Sequence, residues 1–343
     1  MIPPSTNKLS AEILVLADDL TGALECGAAF SQRGIGSDVA ILRALRSEKR
    51  VLVVDTETRH VSENEASSRI EQFAAGTTAR LIYKKTDSTL RGNIRAELQA
   101  LSMLGPVLYV PAYPQLGRTV IRGCLHVHGV PVEQTHFADD PLHPVRNGDI
   151  AALLAGTSNI VIVEESTEEA IEVVAGDWIR RGGIAAGPSS LLHAAATVLG
   201  PRCSPVEFPT IRRALVVSGS RHERSRQQLS IAAQALQDWG WSVLCAPNEY
   251  QGNALTFAAQ FGERAQRKFD SDRFDTIIVF GGDTAFSLLK AMNIDIVEPI
   301  GEVLPGVPVS LLPDKRILIT KAGGFGDSSL LFQLHERLAY GLR

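Results

Sequence analysis

Short, uninterrupted apolar runs recur along the chain and alternate with segments whose apolar residues have helical spacing. Residues 13–17, Ile-Leu-Val-Leu-Ala, form the first such run, and a run of this kind is typical of a strand covered on both faces. Further strand-like runs in the first half occupy residues 38–42, 51–54, 81–83, 107–110, 160–163 and 183–186, with helical patterns around 66–73 and 168–181. This alternation predicts βαβ units and a mainly parallel sheet.

A proline-rich stretch at residues 199–209 interrupts the alternation. A second series of strand-like runs follows at 214–217, 243–244, 276–280 and 316–320, before a terminal helical segment. Because 343 residues exceed the usual size of one hydrophobic core, the sequence predicts two domains, 1–200 and 211–343, joined by a linker at 201–210. We expect an α/β fold in which each domain has a mainly parallel sheet flanked by helices, with the active site in the cleft between the domains.

Charge and cysteine content exclude several function classes. The formal net charge is −4 and the pI is near 6.1, so neither nucleic acid nor an anionic membrane is an expected partner. The four cysteines include no CxxC pair, which argues against a zinc site or a disulfide framework and fits a reducing compartment. The N-terminus lacks the apolar core of a signal peptide, and no apolar run is long enough to span a bilayer, so we expect a cytoplasmic protein.

Residues 111–146 contain five prolines and break the regular pattern. Residues 125–132 within this insertion predict a hairpin, which would place His126 and His128 on one strand face. A metal site at these histidines is conceivable, but no third ligand stands at a telling spacing, and a solvated hairpin is the favoured interpretation.

The most polar loop candidate in the first half follows the strand-like run at 81–83. It contains Lys85, Asp87, Ser88, Thr89 and Arg91 and leads into a helical pattern. Ligands of open α/β sheets bind just past the carboxyl ends of strands, so we expect a loop that binds a small anionic, hydroxyl-rich molecule. The alternative is a solvated loop in which Ser88 or Asn93 caps the next helix.

Polar side chains also follow two other predicted strands of the first half. Asp18 and Asp19 come directly after the first strand, where they could hold substrate hydroxyls, coordinate Mg²⁺ or accept a proton. The alternative is that they form a helix N-cap. Arg59 lies past the run at 51–54 and could bind a carboxylate through its planar fork, and Arg118 lies on a proline-containing turn.

Three strands of the second half run into glycine or small polar residues. The candidate nucleotide-binding residues in these turns are Ser218, Gly281, Gly282, Asp283, Thr284, Lys321, Gly323 and Gly324. Glycine lets backbone approach a ligand closely, and a following helix N-terminus offers free N–H groups to phosphate. Three such turns favour a nucleotide phosphate pocket. The chain has neither a Walker A motif nor a complete dinucleotide fingerprint, which counts against a standard Rossmann dehydrogenase.

Six segments in order resemble the four-carbon acid sugar kinase family: residues 17–23, 84–93, 111–118, 281–285, 305–308 and 321–326. The resemblance spans nearly the whole chain. It implies an N-terminal acid-sugar domain, a C-terminal ATP domain, and phosphorylation of a tetronate on its terminal hydroxyl. The Lys-x-Asp-Ser-Thr-Leu-Arg-Gly-Asn segment is more similar to the threonate and erythronate kinases than to the 3-oxo-tetronate branch. Residues 24–27, Leu-Glu-Cys-Gly, depart from the Asp-Thr-Gly-like segment expected there.

By motif match, the resemblance assigns Asp18, Asp19, Arg59 and residues 85–91 to the substrate, and Ser218, residues 281–284 and Gly323-Gly324 to ATP. The leading hypothesis is therefore an ATP-dependent kinase of D-threonate or D-erythronate that uses Mg²⁺. Arg59 or Arg91 would hold the carboxylate, while Asp18, Asp19 and Asp87 would hold hydroxyls.

In the same hypothesis Lys321 would stabilise phosphate charge, and Asp283 would act as base or metal ligand, with Asp19 as a second catalytic candidate. The alternatives are an NAD(P)-dependent dehydrogenase of a sugar acid and a non-catalytic sugar-acid sensor. A homodimer is a generic expectation for such an enzyme.

Overall fold

The computed structural model describes residues 9–43, 47–140, 142–200, 206–220, 222–247 and 254–339. The chain divides into two compact units, Met1–Arg202 and Cys203–Arg343. The linker predicted at 201–210 lies partly outside the described residues. Among the described helices, none is long and apolar enough to cross a membrane.

The described part of the first unit contains ten strands, and seven of them form one parallel sheet. The strands are β1 (Leu9–Ala17), β2 (Ser37–Ile41), β3 (Val51–Asp55), β4 (Thr77–Lys85), β5 (Val107–Tyr109), β6 (Arg118–Ile121), β7 (Cys124–Val127), β8 (Val130–Pro131), β9 (Ile160–Ile162) and β10 (Gly183–Gly187). The sheet order is β2-β3-β1-β4-β10-β5-β9, with every pairing parallel. The predicted parallel βαβ architecture is confirmed.

The helices of the first unit are α1 (Leu20–Ser31), α2 (Glu63–Gly76), α3 (Ile94–Ser102), α4 (Ile150–Leu153), α5 (Glu168–Arg181) and α6 (Ser190–Leu199). One group packs α1 on α6 and α6 on α5, and another packs α2 on α3. Helix α1 connects β1 to β2 and α2 connects β3 to β4, so the chain crosses the sheet in opposite directions at these two helices. Because such crossovers are right-handed, α1 and α2 lie on opposite faces of the sheet. The central strand β1 is therefore covered on both sides, and residues 13–17 are buried without exception.

The strand order reverses beside β1, whose neighbours are β3 and β4. Such a switch point opens a crevice at the carboxyl ends of the strands, because the connections on its two sides run in opposite directions. In register, Ala17 at the end of β1 lies opposite Asp55 of β3 and Lys85 of β4. The three polar segments singled out in the sequence therefore emerge together.

Strands β6, β7 and β8 form a separate antiparallel sheet within the proline-containing insertion. The predicted hairpin is confirmed as the β7–β8 pairing. The expectation that His126 and His128 share a strand face is wrong, because His128 lies in the turn with φ 51°. His126 contacts the Cys124 carbonyl at 3.0 Å through Nδ1.

The second unit has six strands among its described residues, namely β11 (Ala214–Ser218), β12 (Ser242–Cys245), β13 (Thr276–Phe280), β14 (Ile296–Leu304), β15 (Val307–Leu311) and β16 (Ile317–Lys321). Strands β12, β11, β13 and β16 pair in parallel in that order. Strands β15 and β14 continue the sheet in antiparallel pairings, a hairpin that the sequence interpretation did not include.

Four helices in the described part of the second unit flank this sheet: α7 (Glu223–Asp238), α8 (Ala254–Ser271), α9 (Gly282–Ala291) and α10 (Leu330–Ala339). Helix α7 packs on α10, and α8 packs on α9. Apolar side chains of β11, β13 and β16 form a buried core with α7 and α10. This core holds the ends of β11, β13 and β16 in place, and the glycine-containing turns follow directly after these strands.

Candidate functional site

Arg59 contacts three carboxylates in the charged cluster of the first unit, which comprises Asp18, Asp19, Arg59, Asp87 and Arg91. Its Nε donates to Asp18 Oδ2 at 2.7 Å and its Nη1 to Asp19 Oδ2 at 2.8 Å. Its Nη2 lies 3.8 Å from Asp87 Oδ2. Burial lowers the pKa of Arg59, but the carboxylates, Asp18 first, raise it well above its usual value. The side chain thus joins three segments that leave β1, β3 and β4.

Asp19 is the N-cap of α1, as the sequence alternative proposed. Its Oδ1 accepts from the Gly22 N–H at 3.0 Å, and its Oδ2 accepts from Thr21 Oγ1 at 2.7 Å in addition to Arg59. Although burial raises it, the pKa of Asp19 is lowered by Arg59 and Lys85. Both oxygens of this ionised carboxylate are engaged within the protein.

Asp18 differs from its neighbour in having an unused oxygen. Its residue is 3% exposed, and its Oδ2 accepts from Arg59. Its Oδ1 is buried and has no hydrogen-bond partner among the described residues. Because buried polar atoms normally have a partner, this oxygen is suited to accept a hydrogen bond from a ligand.

Asp87 organises the polar loop that the sequence singled out. Its Oδ1 accepts from the Thr89 N–H at 2.9 Å and from the Thr89 hydroxyl. Arg91 binds it with two nitrogens, Nε at 3.1 Å and Nη2 at 2.8 Å, and contacts Asp140 at 3.1 Å. Burial raises the pKa of Asp87, but Arg91 and Arg59 outweigh this and hold it well below its usual range. Ser88 in the same loop is half-buried.

Asn93 ties this loop to the segment after β3. It occupies the N-cap position of α3, but its side chain makes no capping hydrogen bond. Instead its Nδ2 donates to the carbonyls of Thr58 and Val61, both at 2.8 Å. The alternative in which Ser88 or Asn93 caps the helix is therefore wrong.

The Lys85 ammonium lies beside α1, where a Cβ on Gly22 would be 3.0 Å from Nζ, and its pKa depends on a carboxylate that sequence reasoning missed. The pKa of Lys85 is lowered by burial but raised overall by surrounding carboxylates, Glu25 first. Glu25 accepts from the Tyr113 hydroxyl at 2.9 Å and lies 3.9 Å from His193 Nε2. The available signal was the half-buried Glu25, the only carboxylate on α1, since the buried residues of this helix are apolar or small.

Lys84, in contrast, lies beneath the site. Its fully buried ammonium contacts Glu97 Oε1 at 3.2 Å and donates to the Lys85 carbonyl at 2.8 Å. Glu97 also accepts from the Thr58 hydroxyl. Burial raises the pKa of Glu97, with Lys84 opposing the shift. Successive side chains of a strand point to opposite faces, which separates Lys84 from Lys85.

The second unit brings its three glycine-containing turns together. A Cβ on Gly219 would lie 2.2 Å from Thr284 Oγ1, and one on Gly323 would lie 2.4 Å from Ser220 Oγ. The Gly281 N–H donates to the Lys321 carbonyl at 2.9 Å. Gly281 has φ 107°, which favours glycine at the start of α9. The turns after β11, β13 and β16 therefore share one small, backbone-lined region.

Other predicted residues of this region occupy distinct environments. Ser218 and Thr284 are buried, Gly282 is half-buried, and Asp283 is exposed on the first turn of α9. A Cβ on Gly324 would lie 3.0 Å from His222 Nε2. The backbone N–H groups at the start of α9 remain outside the helix ladder, which suits an anion.

Lys321 folds the glycine turn that follows it. Its residue is 1% exposed, and its Nζ donates to the carbonyls of Ala322, Gly323 and Phe325 at 3.0–3.2 Å and to Ser225 Oγ at 3.2 Å. Burial, followed by the charge of Arg224, lowers the pKa of Lys321 to about 7. This geometry supports a role in shaping the turn, and direct contact with phosphate stays a prediction.

Two family models match the chain. A sugar-binding N-terminal domain matches residues 13–176, and a nucleotide-binding C-terminal domain matches residues 242–331. A protein of Cupriavidus necator named D-threonate kinase is 30% identical, with 95% of this chain and 97% of the relative covered. A Heliobacterium modesticaldum protein named D-erythronate kinase is 35% identical, over 43% of this chain and 36% of the relative. A Pseudomonas fluorescens protein named 3-oxo-tetronate kinase is 24% identical, over 95% and 97%.

Solved structures share the fold. A Salmonella typhimurium chain described as a putative tRNA synthase has a TM-score of 0.79 at 18% identity, covering 95% of this chain and 99% of that one. A domain of unknown function from Bordetella bronchiseptica, a domain-swapped dimer with bound citrate, has a TM-score of 0.50 at 26% identity, covering 96% and 98%.

Proposed function

The chain belongs to the four-carbon acid sugar kinase family, and on that premise we propose that it phosphorylates the terminal hydroxyl of D-threonate or D-erythronate. It is an ATP-dependent sugar acid kinase, since relatives matching nearly its whole length are named kinases. Because the chain belongs to a kinase family, the alternative of an NAD(P)-dependent dehydrogenase is set aside.

The observation that carries the proposal is the convergence of carboxylates and guanidinium groups at the switch point of the first sheet. Asp18, Arg59 and Asp87 leave three different strands and are joined through Arg59. A tetronate offers one carboxylate and several hydroxyls, which match a cluster of mixed charge. Over 93–95% of the chain, relatives named D-threonate kinase are 27–30% identical and those named 3-oxo-tetronate kinase are 23–24% identical. Over 43–44% of the chain, a D-erythronate kinase is 35% identical and a 3-oxo-tetronate kinase 28%, and both differences support the choice of substrate.

The glycine-containing turns of the second unit are the proposed ATP site. Space for side chains is restricted there, because a Cβ on Gly219 or Gly323 would displace the hydroxyl of Thr284 or Ser220. Backbone N–H groups can therefore approach phosphate oxygens closely. Phosphoryl transfer depends chiefly on positioning the reactants and on stabilising charge. Lys321 contributes to positioning, because its ammonium binds three carbonyls of the glycine turn and fixes the conformation of that turn.

Asp283 is the proposed protein ligand of Mg²⁺. Its exposed carboxylate stands on the first turn of α9, beside the proposed phosphate site, and carboxylate oxygens suit this ion. When bound, Mg²⁺ would neutralise charge on the transferred phosphate.

Proton acceptance falls to Asp18 in this proposal. Sequence reasoning named Asp19 and Asp283 as catalytic candidates, but both oxygens of Asp19 have partners within the protein. The free Oδ1 of Asp18 can accept a hydrogen bond from the attacking hydroxyl and then its proton.

A coupled ADP-release assay with Mg-ATP tests the function. The panel contains D-threonate, D-erythronate, their L-isomers and 3-oxo-tetronates. We expect turnover of D-threonate or D-erythronate in preference to its epimers. Turnover of a 3-oxo-tetronate alone would contradict the substrate choice. Silence across the panel, with no binding of ADP by calorimetry, would favour the sugar-acid sensor instead.

We propose a homodimer as the assembly. The Bordetella bronchiseptica relative was crystallised as a domain-swapped dimer, which supports the generic expectation for such enzymes. Light scattering coupled to size exclusion measures the mass directly, and a value near 37 kDa would contradict the dimer.

A further inference from the structure

The guanidinium groups of the charged cluster are not equally available to an anion. Arg59 contacts Asp18 and Asp19 within 2.8 Å, and Arg91 contacts Asp87 at 2.8 Å and Asp140 at 3.1 Å. Their charges are already matched by protein carboxylates. Either arginine would have to give up an ion pair in order to bind the carboxylate of a sugar acid.

Arg118 is a third guanidinium of this region, and it has no carboxylate within 4 Å among the described residues. Its side chain is half-buried at the start of β6. Its Nη1 donates to the Leu116 carbonyl, while its Nε is buried and finds no acceptor in the described part of the chain. A buried N–H without an acceptor is uncommon, so this nitrogen is ready to donate to a ligand.

The backbone holds Arg118 in place. The Arg118 N–H donates to the Tyr113 carbonyl at 3.0 Å, and the Tyr113 N–H donates to the Arg118 carbonyl at 2.8 Å. Between them Pro114 starts a short helical turn, and Gly117 closes it with φ 69°. The guanidinium is thus presented from a rigid turn, which lowers the entropy lost on binding.

Arg118 belongs electrostatically to the same cluster as Asp87 and Arg91. Burial lowers the pKa of Arg118, the Asp87 carboxylate opposes this shift, and the Arg91 guanidinium adds to it. The Tyr113 hydroxyl, which donates to Glu25, also acts on this guanidinium. The backbone pairing with Tyr113, whose hydroxyl binds Glu25, therefore holds Arg118 close to the charged cluster.

We propose that Arg118 binds the carboxylate of the sugar acid, an inference that rests on the proposed function. Arg59 and Arg91 then act as positioning residues, which hold the loops after β1, β3 and β4 together. Arg118 Nε and Asp18 Oδ1, both buried and both without a partner among the described residues, are complementary to the two ends of a tetronate. The guanidinium takes the carboxylate, and the free carboxylate oxygen takes a hydroxyl.

The test compares Arg118→Gln and Arg118→Lys with the control Arg122→Gln, which changes an exposed arginine in the β6–β7 turn. Steady-state kinetics are measured with the preferred tetronate and with the tetritol that lacks its carboxylate. We expect Arg118→Gln to raise KM for the tetronate about 100-fold with KM for ATP unchanged. The preference for acid over alcohol should fall by a similar factor. Arg118→Lys keeps the charge without the planar fork, and its KM should rise about 10-fold.

A loss of folding would not reduce the preference for acid over alcohol in the remaining active protein, so this ratio separates recognition from structure. If Arg118→Gln does not fold, Arg118→Lys decides, and an unchanged KM in that variant overturns the inference. If Arg118→Gln turns over the tetronate as fast as the wild type and keeps the same preference for acid over alcohol, the inference is overturned and the proposed function stands. A wild-type protein that neither binds nor phosphorylates any sugar acid overturns both.

Discussion

The proposed ligand sites of the two units are built from different chemical groups. The site of the first unit is built from charged side chains, with Arg59 bound to Asp18 and Asp19, and Arg91 bound to Asp87. The proposed site of the second unit is built mainly from glycine-containing turns, and a Cβ on Gly219 or Gly323 would displace the hydroxyl of Thr284 or Ser220. Charged side chains distinguish a small polyhydroxy acid from its analogues, whereas N–H groups of a fixed backbone suit any phosphate.

The same difference predicts different weaknesses. Removing a charge in the first unit leaves its partner buried and unmatched, which is costly in a region of low dielectric. Adding a Cβ at Gly219 or Gly323 of the second unit displaces the neighbouring side chain without altering charge. Four predictions test this contrast, beginning with the largest effect.

Lys84→Met should lower the free energy of unfolding by about 4 kcal/mol, because it leaves the buried Glu97 carboxyl without its cation. Urea denaturation measures the loss, and the double variant Lys84→Met with Glu97→Leu should recover most of it. The control is Arg95→Ala, which breaks the exposed ion pair with Glu63 and should cost less than about 1 kcal/mol. Equal losses for the two single variants would contradict the contrast.

Asp18→Asn should lower kcat about 100-fold, because it removes the proposed proton acceptor. Asp19→Asn is the matched comparison. Because asparagine can still cap α1, this variant should lower kcat only a few-fold. Asp283→Asn supplies the third arm, because it tests the exposed carboxylate of the second unit. Kinetics at saturating ATP and tetronate decide the order. A larger loss in Asp19→Asn would restore the role that the sequence suggested for it.

Much of the fold could be predicted from the sequence, because buried parallel strands are readable as apolar runs. The strand β13 and the helix α5 have the predicted bounds. The β14–β15 hairpin was missed because it is not an apolar run. Strand β14 alternates between buried and half-buried residues and contains Pro299 and Gly301. A local pattern of this kind does not identify a strand by itself, because the stability of such a strand depends on packing against its neighbour.

The site was predictable as a set of segments, but not as a set of partners. Polar residues after three neighbouring strands must emerge at one edge, so the convergence of Asp18, Arg59 and Asp87 follows from the topology. Which carboxylate pairs with which guanidinium depends on side-chain geometry that a one-dimensional pattern does not contain. The pairing of Lys84 with Glu97, ten or more residues apart and on different elements, is an example.

Gly219→Ala should weaken ADP binding about 30-fold, since its Cβ would lie 2.2 Å from Thr284 Oγ1 and 3.3 Å from the Thr284 Cβ. Binding of the tetronate should not change, because Gly219 belongs to the second unit. Isothermal titration with each ligand measures both affinities. The control is Gly176→Ala in α5, where an added Cβ would meet nothing within 4 Å. Unchanged ADP affinity in Gly219→Ala would show that close backbone approach is not required.

Lys321 is buried beneath the glycine turn of the second unit, and it gives a prediction about pH dependence. Its pKa is lowered to about 7 in the folded protein from 10.5, so the unfolded chain binds more protons between these values. Stability from this residue should therefore rise with pH across this window, by at most about 1.4 kcal/mol per pH unit. Urea denaturation of the wild type and Lys321→Met at pH 7, 8 and 9 isolates it, because other titrating groups are shared. A difference between the two proteins that stays constant with pH would mean that the four oxygens around the ammonium hold its proton throughout.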